Sequence, residues 1–451
     1  MTSPLLLDDQ PLRQDLLDHG LGKDHVDDKA RRFAAASQTL GTSTPATLAF
    51  FVPGRIEVLG KHTDYCGGHS LVTAVECGFC VVARPRTDNV IRVHALDEGD
   101  HTEFRMGPEL DVPTGTWTNY PMTVARRLAR NFDSCRTGAD IAFSSDLPSA
   151  AGMSSSSALL IATYLILAEV NQLESTDRFR EHVVDDLTRA EYLGTHENGQ
   201  SFGQLAGDRG VGTFGGSEDH TAILCSQRGY LGLYRYCPTQ AVQQIRLPEG
   251  LVFAVGASGV VAEKTGAAQE LYNRASLRVQ ALVHAWQRQQ TSSAVYLADI
   301  TSGGDRSIDQ MRAAIEGGSD GFDTQELSVR LDHFLAEERL LEEATDALAR
   351  GDVATFGERV DRSQELTDRL LGNQVPETRD LARLAREQGA LAASAFGAGF
   401  GGSVWALTSD RQAEEFTERW RRAYVDAYPV RGPTSQFFLT GSGPAAFPLH
   451  R

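Results

Sequence analysis

One segment constrains the fold more than any other part of the chain. The run GADIAFSSDLP, residues 138–148, is typical of a strand that ends at a turn. The run SSSSALLIATYLILAEVNQL, residues 154–173, predicts a helix that is apolar on nearly every side. Such a helix has to be covered by other elements, so the sequence predicts that it is buried in a layered fold of sheet and helices.

The loop between this strand and this helix, residues 148–157, consists mostly of serine, alanine and glycine, and we call it the serine loop. Small residues let the backbone approach a ligand, the helix N-terminus presents free N–H groups, and serine hydroxyls add donors or bind Mg²⁺. A serine-capped helix start is the simpler alternative, and the Gly-Lys-Ser/Thr of the Walker sequence is missing. Four consecutive serines exceed what one cap needs, so we interpret the loop as a phosphate-binding site.

The composition favours a small-molecule partner. A chain of 451 residues can hold two or three domains, and its net charge of −17 opposes binding to nucleic acid or to an anionic membrane. No window approaches the roughly 18 to 20 apolar residues of a membrane span, and the N-terminus is acidic where a signal peptide is basic, which predicts a cytoplasmic protein. Cys77 and Cys80 have no second pair to complete a zinc site, so we expect buried cysteines.

Two further motifs place unusual residues close together. The charged motif, GRIEVLGKHTDY at residues 54–65, contains Arg, Glu, Lys, His, Asp and Tyr next to two glycines. The glycine turn, FGAGFGGS at residues 396–403, precedes a strand-like run and by itself is equally compatible with a plain turn or bulge.

The rest of the chain alternates predicted strands and helices. We expect the last strand, residues 436–440, to return to the first domain. The other predicted elements are helices over 1–40, 116–132, 265–290 and several within 317–388, strands at 48–55, 69–85 and 250–258, a long loop at 199–216, and a glycine-rich turn and strand within 389–408.

Taken in order, the three motifs resemble those of GHMP kinases, and within that superfamily most closely those of galactokinase. The charged motif is similar to Gly-Arg-x-Asn-x-x-Gly-Glu-His-x-Asp-Tyr, the serine loop to Pro-x-x-x-Gly-Leu-Ser-Ser-Ser-Ala, and the glycine turn to Gly-Ala-Gly-x-Gly-Gly. The runs Trp117–Tyr120 and Glu270–Arg274 resemble two further galactokinase segments. The resemblance implies a two-lobed α+β fold, with an α/β domain over 1–245, a ferredoxin-like α+β domain over 246–451, and the active site in the cleft.

The resemblance also implies that the protein binds ATP and Mg²⁺. Mg²⁺ would be held by Ser156 and by a carboxylate, for which Glu191 is the first choice and Glu197 lies in an equally suitable context. The phosphates of ATP would be bound by Pro148, Ala150, Ala151, Gly152, Met153, Ser154, Ser155, Ser156, Gly397 and Gly399.

The catalytic base implied by the resemblance is Asp219. The family motif Gly-Ile-Met-Asp-Gln reads Gly-Ser-Glu-Asp-His here, at residues 216–220. Phosphoryl transfer needs positioning, neutralisation of the phosphates and a carboxylate near the attacking hydroxyl. Asp219 would accept or orient the hydroxyl proton, and Arg55 would lower the pKa of that carboxylate and stabilise the transferring phosphoryl group.

The sugar side departs from the family pattern at two positions. His62 and Asp64 would bind sugar hydroxyls, with Tyr272 lining the same pocket, but Glu57 and Lys61 stand where the family has Asn and Glu. A cation at position 61 could bind the carboxylate of a uronic acid. Alternatively, Glu57 and Lys61 could pair with each other at spacing i, i+4. The sequence does not decide between these two interpretations, and Glu57 and Lys61 are kept among the predicted substrate-binding residues.

The predicted function is that of an ATP-dependent sugar 1-kinase, acting on galactose or alternatively on a uronic acid or another aldose. A sugar sensor of the same fold, for which catalysis is dispensable, is the second hypothesis. The presence of both Arg55 and Asp219 favours the enzyme. We expect a monomer or a homodimer.

Overall fold

The computed structural model describes residues 9–41, 48–148, 151–262, 266–290 and 293–449. The predicted phosphate-binding residue Ala150 lies outside these ranges. The described helices are α1 Asp9–Asp18, α2 Lys23–Leu40, α3 Asn119–Asn131, α4 Ser155–Val170, α5 Asp177–His182, α6 Asp186–Asn198, α7 Glu218–Cys225, α8 Gly266–Gln289, α9 Leu297–Thr301, α10 Asp305–Ala314, α11 Thr324–Ala349, α12 Val353–Leu366, α13 Pro376–Glu387 and α14 Ala413–Ala427. The described strands are β1 Leu48–Leu59, β2 His69–Pro85, β3 Val90–Ala95, β4 Asp100–Arg105, β5 Ala139–Ser145, β6 Tyr230–Arg235, β7 Gln240–Arg246, β8 Leu251–Ala257, β9 Ala392–Ala395, β10 Ser403–Ser409, β11 Gln436–Thr440 and β12 Phe447–Pro448.

The strands form two sheets covered by helices, which confirms the predicted α+β fold. The first sheet has eight strands in the order β12-β1-β2-β5-β3-β4, with β6 and β7 continuing from β2. Strands β1 and β2 pair antiparallel, and their register shifts between Pro53 and Arg55 and again between Glu57 and Leu59. Such irregularities bend a strand and redirect its side chains, and here they lie within the charged motif.

Helix α4 confirms the buried helix that the sequence predicts. Its apolar residues from Ala158 to Ala168 are almost all buried, and it packs against β1, β2, α3 and α7. The serine loop therefore ends inside the first lobe, by which we mean the first sheet and its helices. The six cysteines are free, and four of them are buried, as expected.

The second sheet has the antiparallel order β11-β8-β10-β9 and forms the second lobe with its helices. Its strand β11, Gln436–Thr440, pairs with β8, so the expectation that this strand returns to the first domain is wrong. Phe437 of β11 packs on Trp420 of α14, which keeps the strand in the second lobe. The chain returns only afterwards, through β12, whose Phe447 pairs with Phe51 of β1.

The chain passes from the first sheet to the second between β7, which ends at Arg246, and β8, which begins at Leu251. The domain boundary at residues 245/246 stays a prediction. None of the helices in the described ranges combines the length and the apolar character that crossing a membrane requires.

Candidate active site

The three motifs meet where the two lobes face each other. Arg55 of the charged motif donates from a terminal nitrogen to the carbonyl oxygen of Gly152 in the serine loop, at 2.7 Å. Glu57 accepts a hydrogen bond from the backbone N–H of Gly397 in the glycine turn, at 2.8 Å. A Cβ atom on Gly397 would lie 2.7 Å from the Gly152 carbonyl oxygen, so the two loops touch through their backbones.

The serine loop has the geometry of an anion-binding site. Gly152 and Ser154 both adopt left-handed backbone conformations, with φ of 74° and 58°, and α4 begins directly afterwards. The Ser154 hydroxyl is buried and has no hydrogen-bond partner within the described part of the chain. A helix N-terminus with its free N–H groups and an orphaned hydroxyl together fit a phosphate group.

A cavity of about 210 Å³ opens beside the serine loop. Its walls are mainly aromatic and apolar, with two carboxylates, which suits a planar base. The predicted residues Ser155 and Ser156 line this cavity rather than the carboxylate cluster described below. The lining residues are Phe79, Ala95, Asp97, Glu98, Trp117, Tyr120, Phe143, Ser145, Leu147, Ser155, Ser156 and Leu159.

Arg55 and Asp219 form the central ion pair. The Arg55 Nε atom donates to Asp219 Oδ1 at 2.8 Å, and a terminal nitrogen lies 2.7 Å from the same oxygen. Burial disfavours the charged guanidinium, but the carboxylates of Asp219, Glu218 and Glu57 outweigh it and raise the pKa of Arg55. Arg55 is 2% exposed and stays cationic. Its Cζ atom lies 5.8 Å from the centre of the Phe396 ring.

A second cluster of oxygen atoms adjoins this pair. The Ser157 hydroxyl lies 2.6 Å from Glu197 Oε1 and 3.2 Å from Asp219 Oδ2. Glu197 also accepts a hydrogen bond from Thr213, at 3.2 Å, and His220 Nε2 lies 3.4 Å from Glu197 Oε1. Two carboxylates and a hydroxyl are the hard oxygen ligands that Mg²⁺ takes, so these residues fit the metal.

The structure places the two residues predicted to bind Mg²⁺ elsewhere. Ser156 precedes Ser157 in α4, and consecutive helical residues point about 100° apart. Glu191 lies six residues before Glu197 in α6, and its carboxylate accepts the backbone N–H of Thr239 at 3.1 Å. Burial raises the pKa of Glu191 against the lowering effect of that hydrogen bond. The serine and the carboxylate that meet at Asp219 are Ser157 and Glu197.

Four of the predicted substrate-binding residues line one pocket next to Arg55 and Asp219. These are Glu57, His62, Asp64 and Tyr272, and the other lining residues are Tyr65, Glu197, Gly215, Gly216, Glu218, His220, Gly397 and Ala398. The pocket is therefore rich in hydrogen-bonding groups and suits a polyol.

Backbone geometry and short contacts fix these side chains. Asp64 Oδ2 accepts the N–H groups of Gly216 and Glu218 at the start of α7, at 3.0 and 3.4 Å. His62 has a left-handed backbone with φ of 58°, and its Nδ1 atom lies 2.8 Å from the Tyr65 hydroxyl. The rings of His62 and Tyr272 lie 5.3 Å apart.

Lys61 does not face this pocket. Its ammonium group donates to the hydroxyls of Ser394 and Ser363 in the second lobe, at 2.7 and 3.3 Å. Lys61 is 1% exposed, and the Ser363 hydroxyl in turn lies 2.9 and 2.8 Å from the two Glu337 oxygens. The structure thus brings Lys61 neither to the pocket nor into a hydrogen bond with Glu57. Burial raises the pKa of Glu57 to about 7, although the charges of Arg55 and Lys61 oppose this.

Three site residues, Ser157, Glu218 and Arg330, are not among the predicted ligands, and Ser157 has been described above. Glu218 lines the pocket, and its substitution for the Met of the family motif is a signal visible in the sequence. Arg330 of α11 is 1% exposed and donates to the carbonyl oxygen of His62 at 2.6 Å and to the Tyr65 hydroxyl at 3.3 Å. It holds the end of the charged motif from the second lobe, and no local sequence signal indicates this.

Comparison with known families gives three matches along the chain. The GHMP kinases N terminal domain matches residues 119–194, the GHMP kinases C terminal domain matches residues 344–426, and the galactokinase galactose-binding signature matches residues 37–85. The chain thus matches the N-terminal and the C-terminal domain of the GHMP kinase superfamily.

Within that superfamily the chain is similar to galactokinases in particular. The galactokinase of Roseiflexus sp. is 28% identical over 378 residues, which cover 83% of this chain and 87% of the relative. That of Lactiplantibacillus plantarum is 29% identical over 399 residues, covering 84% and 89%. The crystal structure of Lactococcus lactis galactokinase complexed with galactose has a TM-score of 0.71 at 20% identity, with 91% of this chain and 97% of that chain covered. A mevalonate kinase structure has a TM-score of 0.54 at 13% identity, with 87% of this chain and 98% of that chain covered. The fold is therefore similar to those of galactokinase and of mevalonate kinase.

Proposed function

We propose that the protein is an ATP-dependent sugar kinase that transfers the γ-phosphoryl group of ATP to the anomeric hydroxyl of galactose or of a sugar with the same configuration. The Arg55–Asp219 pair carries this proposal, because it lies between the serine loop and the polyol pocket. The galactose-binding signature at residues 37–85 and the galactokinase relatives support the choice of sugar.

The chain's own residues supply positioning and charge. Asp219 accepts or orients the proton of the attacking hydroxyl, with its carboxylate held in place by Arg55. Arg55 also faces the serine loop, so its guanidinium stabilises the charge of the phosphoryl group as it is transferred. The serine loop holds the phosphates through backbone N–H groups, and the aromatic cavity next to it takes the base.

Mg²⁺ would be held by Ser157, Glu197 and Asp219, and when bound it would neutralise phosphate charge. We propose these ligands in place of Ser156 and Glu191. The Ser157 hydroxyl lies within hydrogen-bond distance of both Glu197 and Asp219, whereas Glu191 bonds to Thr239. Thr213 keeps the Glu197 carboxylate in place.

The pocket suits a neutral or cationic sugar better than an acidic one. The uronic acid alternative depended on Lys61, whose ammonium group is hydrogen-bonded in the second lobe. A sugar carboxylate in the pocket would meet Glu57, Asp64 and Glu218 instead. His62, Asp64 and Tyr272 are suited to bind sugar hydroxyls, and a substrate that lacks one leaves a buried polar group unpaired.

The test is ADP release from ATP and Mg²⁺ with galactose, galacturonate and other aldoses, together with identification of the sugar 1-phosphate by phosphorus NMR. We expect ADP release with galactose and none with galacturonate. Binding of ATP and galactose without ADP release would contradict the proposal and support the sensor hypothesis. Phosphate on a hydroxyl other than the anomeric one would contradict the assignment of the reacting atom.

A further inference from the structure

Glu218 is a buried acid that faces the sugar pocket without a hydrogen bond from the protein. It is 6% exposed and lines the pocket. No donor in the described ranges lies within hydrogen-bond distance of its carboxyl group, and the nearest cation there is Arg55, whose Nε atom is 3.9 Å from Glu218 Oε1. A buried carboxyl group in this state is costly, so it calls for a partner from the ligand.

The other carboxyl groups of the pocket have partners in the protein. Asp219 pairs with Arg55, Asp64 accepts two N–H groups at the start of α7, and Glu197 is bound by hydroxyls. Glu57 is partnered only in part, because among the residues that the structure describes its carboxyl group accepts one hydrogen bond, from the Gly397 N–H. Glu218 and Glu57 both replace uncharged residues of the galactokinase motifs, so this chain has two additional acids in its pocket.

We propose that the sugar substrate carries an amino group on the carbon next to the reacting hydroxyl, and that Glu218 and Glu57 bind its ammonium form. The proposal rests on the proposed function and names the substrate class more closely: a 2-amino-2-deoxy aldose.

The position of the amino group follows from the ion pairs of Arg55. One guanidinium contacts Asp219 Oδ1 at 2.7 Å and Glu218 Oε1 at 3.9 Å, so both acids lie at the same end of the pocket. A sugar whose anomeric hydroxyl meets Asp219 has the substituent of the neighbouring carbon within reach of Glu218. The inference therefore assigns the anomeric hydroxyl to Asp219 and the substituent of the neighbouring carbon to Glu218, which precedes it in the first turn of α7.

Charge favours an ammonium group over a hydroxyl at this place. The carboxyl groups of Glu57 and Asp64 line the same pocket as Glu218, and the cation nearest to Glu218 in the described ranges, Arg55, is paired with Asp219. A substrate ammonium group offsets this concentration of acids, whereas a hydroxyl group can hydrogen-bond to a carboxyl group but carries no charge. An N-acetyl group has no charge and is bulkier.

The experiment compares kcat/KM for galactosamine, galactose, 2-deoxygalactose and N-acetylgalactosamine. We expect galactosamine to exceed galactose by at least about tenfold, and the other two sugars to be poorer than galactose, since buried acids left without a cation discriminate strongly. The same ratio is then measured for Glu218→Met, which restores the family residue, and for the isosteric Glu218→Gln. We expect the galactosamine preference to fall at least about tenfold in each.

Glu414→Gln is the matched control, because Glu414 lies in the first turn of α14 and is exposed. Its ratio should equal that of the wild type. Equal or better use of galactose by the wild type would overturn the inference and leave the proposed function standing, as would an unchanged ratio in whichever Glu218 variant folds. No ADP release with any of the four sugars would overturn both.

Discussion

Replacing Lys61 with methionine tests whether this residue joins the lobes or selects the sugar. The side chain is buried at 1% exposure, and its ammonium group bonds to Ser394 and Ser363 of the second lobe. Ser363 connects it to the carboxylate of Glu337, which is also 1% exposed. Lys61→Met removes the cation and keeps the approximate volume, so Glu337 is left as a buried anion without this partner.

Lys61 and Glu337 are joined through the Ser363 hydroxyl, so the cost of about 3 to 5 kcal/mol for removing one member of a buried charge pair is an upper range here. Glu337 retains the N–H groups of Gly60 and Lys61, at 2.9 and 3.2 Å, and the Ser363 hydroxyl. These remaining donors place the expected loss at the lower end, about 3 kcal/mol of the free energy of unfolding. In the double variant Lys61→Met with Glu337→Gln the loss should be smaller than the sum of the single losses, by about 1 to 3 kcal/mol.

The assay is urea-induced unfolding of the wild type, both single variants and the double variant, with kcat/KM for galactose and galacturonate on the same samples. Lys23→Met is the matched control, since Lys23 is exposed at the start of α2. The reasoning is refuted if the free energy of unfolding of Lys61→Met lies within about 1 kcal/mol of the wild-type value, because an effect that small is typical of a surface substitution. It is also refuted if the variant changes the ratio between the two sugars.

Three further predictions concern the site itself. Asp219→Asn should lower kcat at least about a hundredfold, the scale of general-base losses, because the amide cannot accept the hydroxyl proton. ATP affinity, measured by calorimetry, should hardly change, and near-normal turnover would place the base elsewhere. Glu197→Gln should raise the Mg²⁺ concentration for half-maximal activity at least about tenfold, whereas Glu191→Gln should leave it unchanged; the reverse pattern would favour the residue predicted from sequence. Glu57→Gln tests a pH dependence. The folded-state pKa of Glu57 is raised from 4.5 to about 7, so the folded state keeps a proton that the unfolded state releases, and wild-type stability falls as pH rises through that window. Denaturation across pH should therefore show the variant gaining up to about 3 kcal/mol on the wild type between pH 4.5 and 7 and no more above it, and a constant difference would contradict the raised pKa.

The sequence predicts the site well where chemistry and local pattern agree. The serine loop, the charged motif and the glycine turn have the composition of close-approach loops, and the structure brings them together around Arg55. The sequence is less informative about which of two candidate residues on one helix faces the site. Ser156 and Ser157, like Glu191 and Glu197, occupy different sides of one helix, so the two members of each pair point in different directions. The sequence pattern does not show which member of each pair faces the site.

Long-range contacts account for most of the rest. Strand alternation stops at Leu59, because Gly60 and His62 both have positive φ, so the direction of Lys61 cannot be read from β1. Its partners lie about 300 residues further along the chain, and Arg330 is equally remote from the His62 carbonyl that it binds. Strand β12 was missed because two residues carry no periodic pattern.

The return of the chain through β12 has a mechanical consequence. The second lobe is inserted between β7 and β12 of the first, so two covalent connections join the lobes. Gly229 bonds to both of them: its carbonyl oxygen accepts the Leu247 N–H at 2.9 Å, and its N–H donates to the Ser442 carbonyl oxygen at 3.1 Å. These two connections run side by side, and buried contacts such as those of Glu57 with Gly397 and of Lys61 with Ser394 join the lobes as well. Covalent and non-covalent links together therefore fix the position of Gly397 relative to Arg55, although the two residues are more than 300 positions apart in the chain.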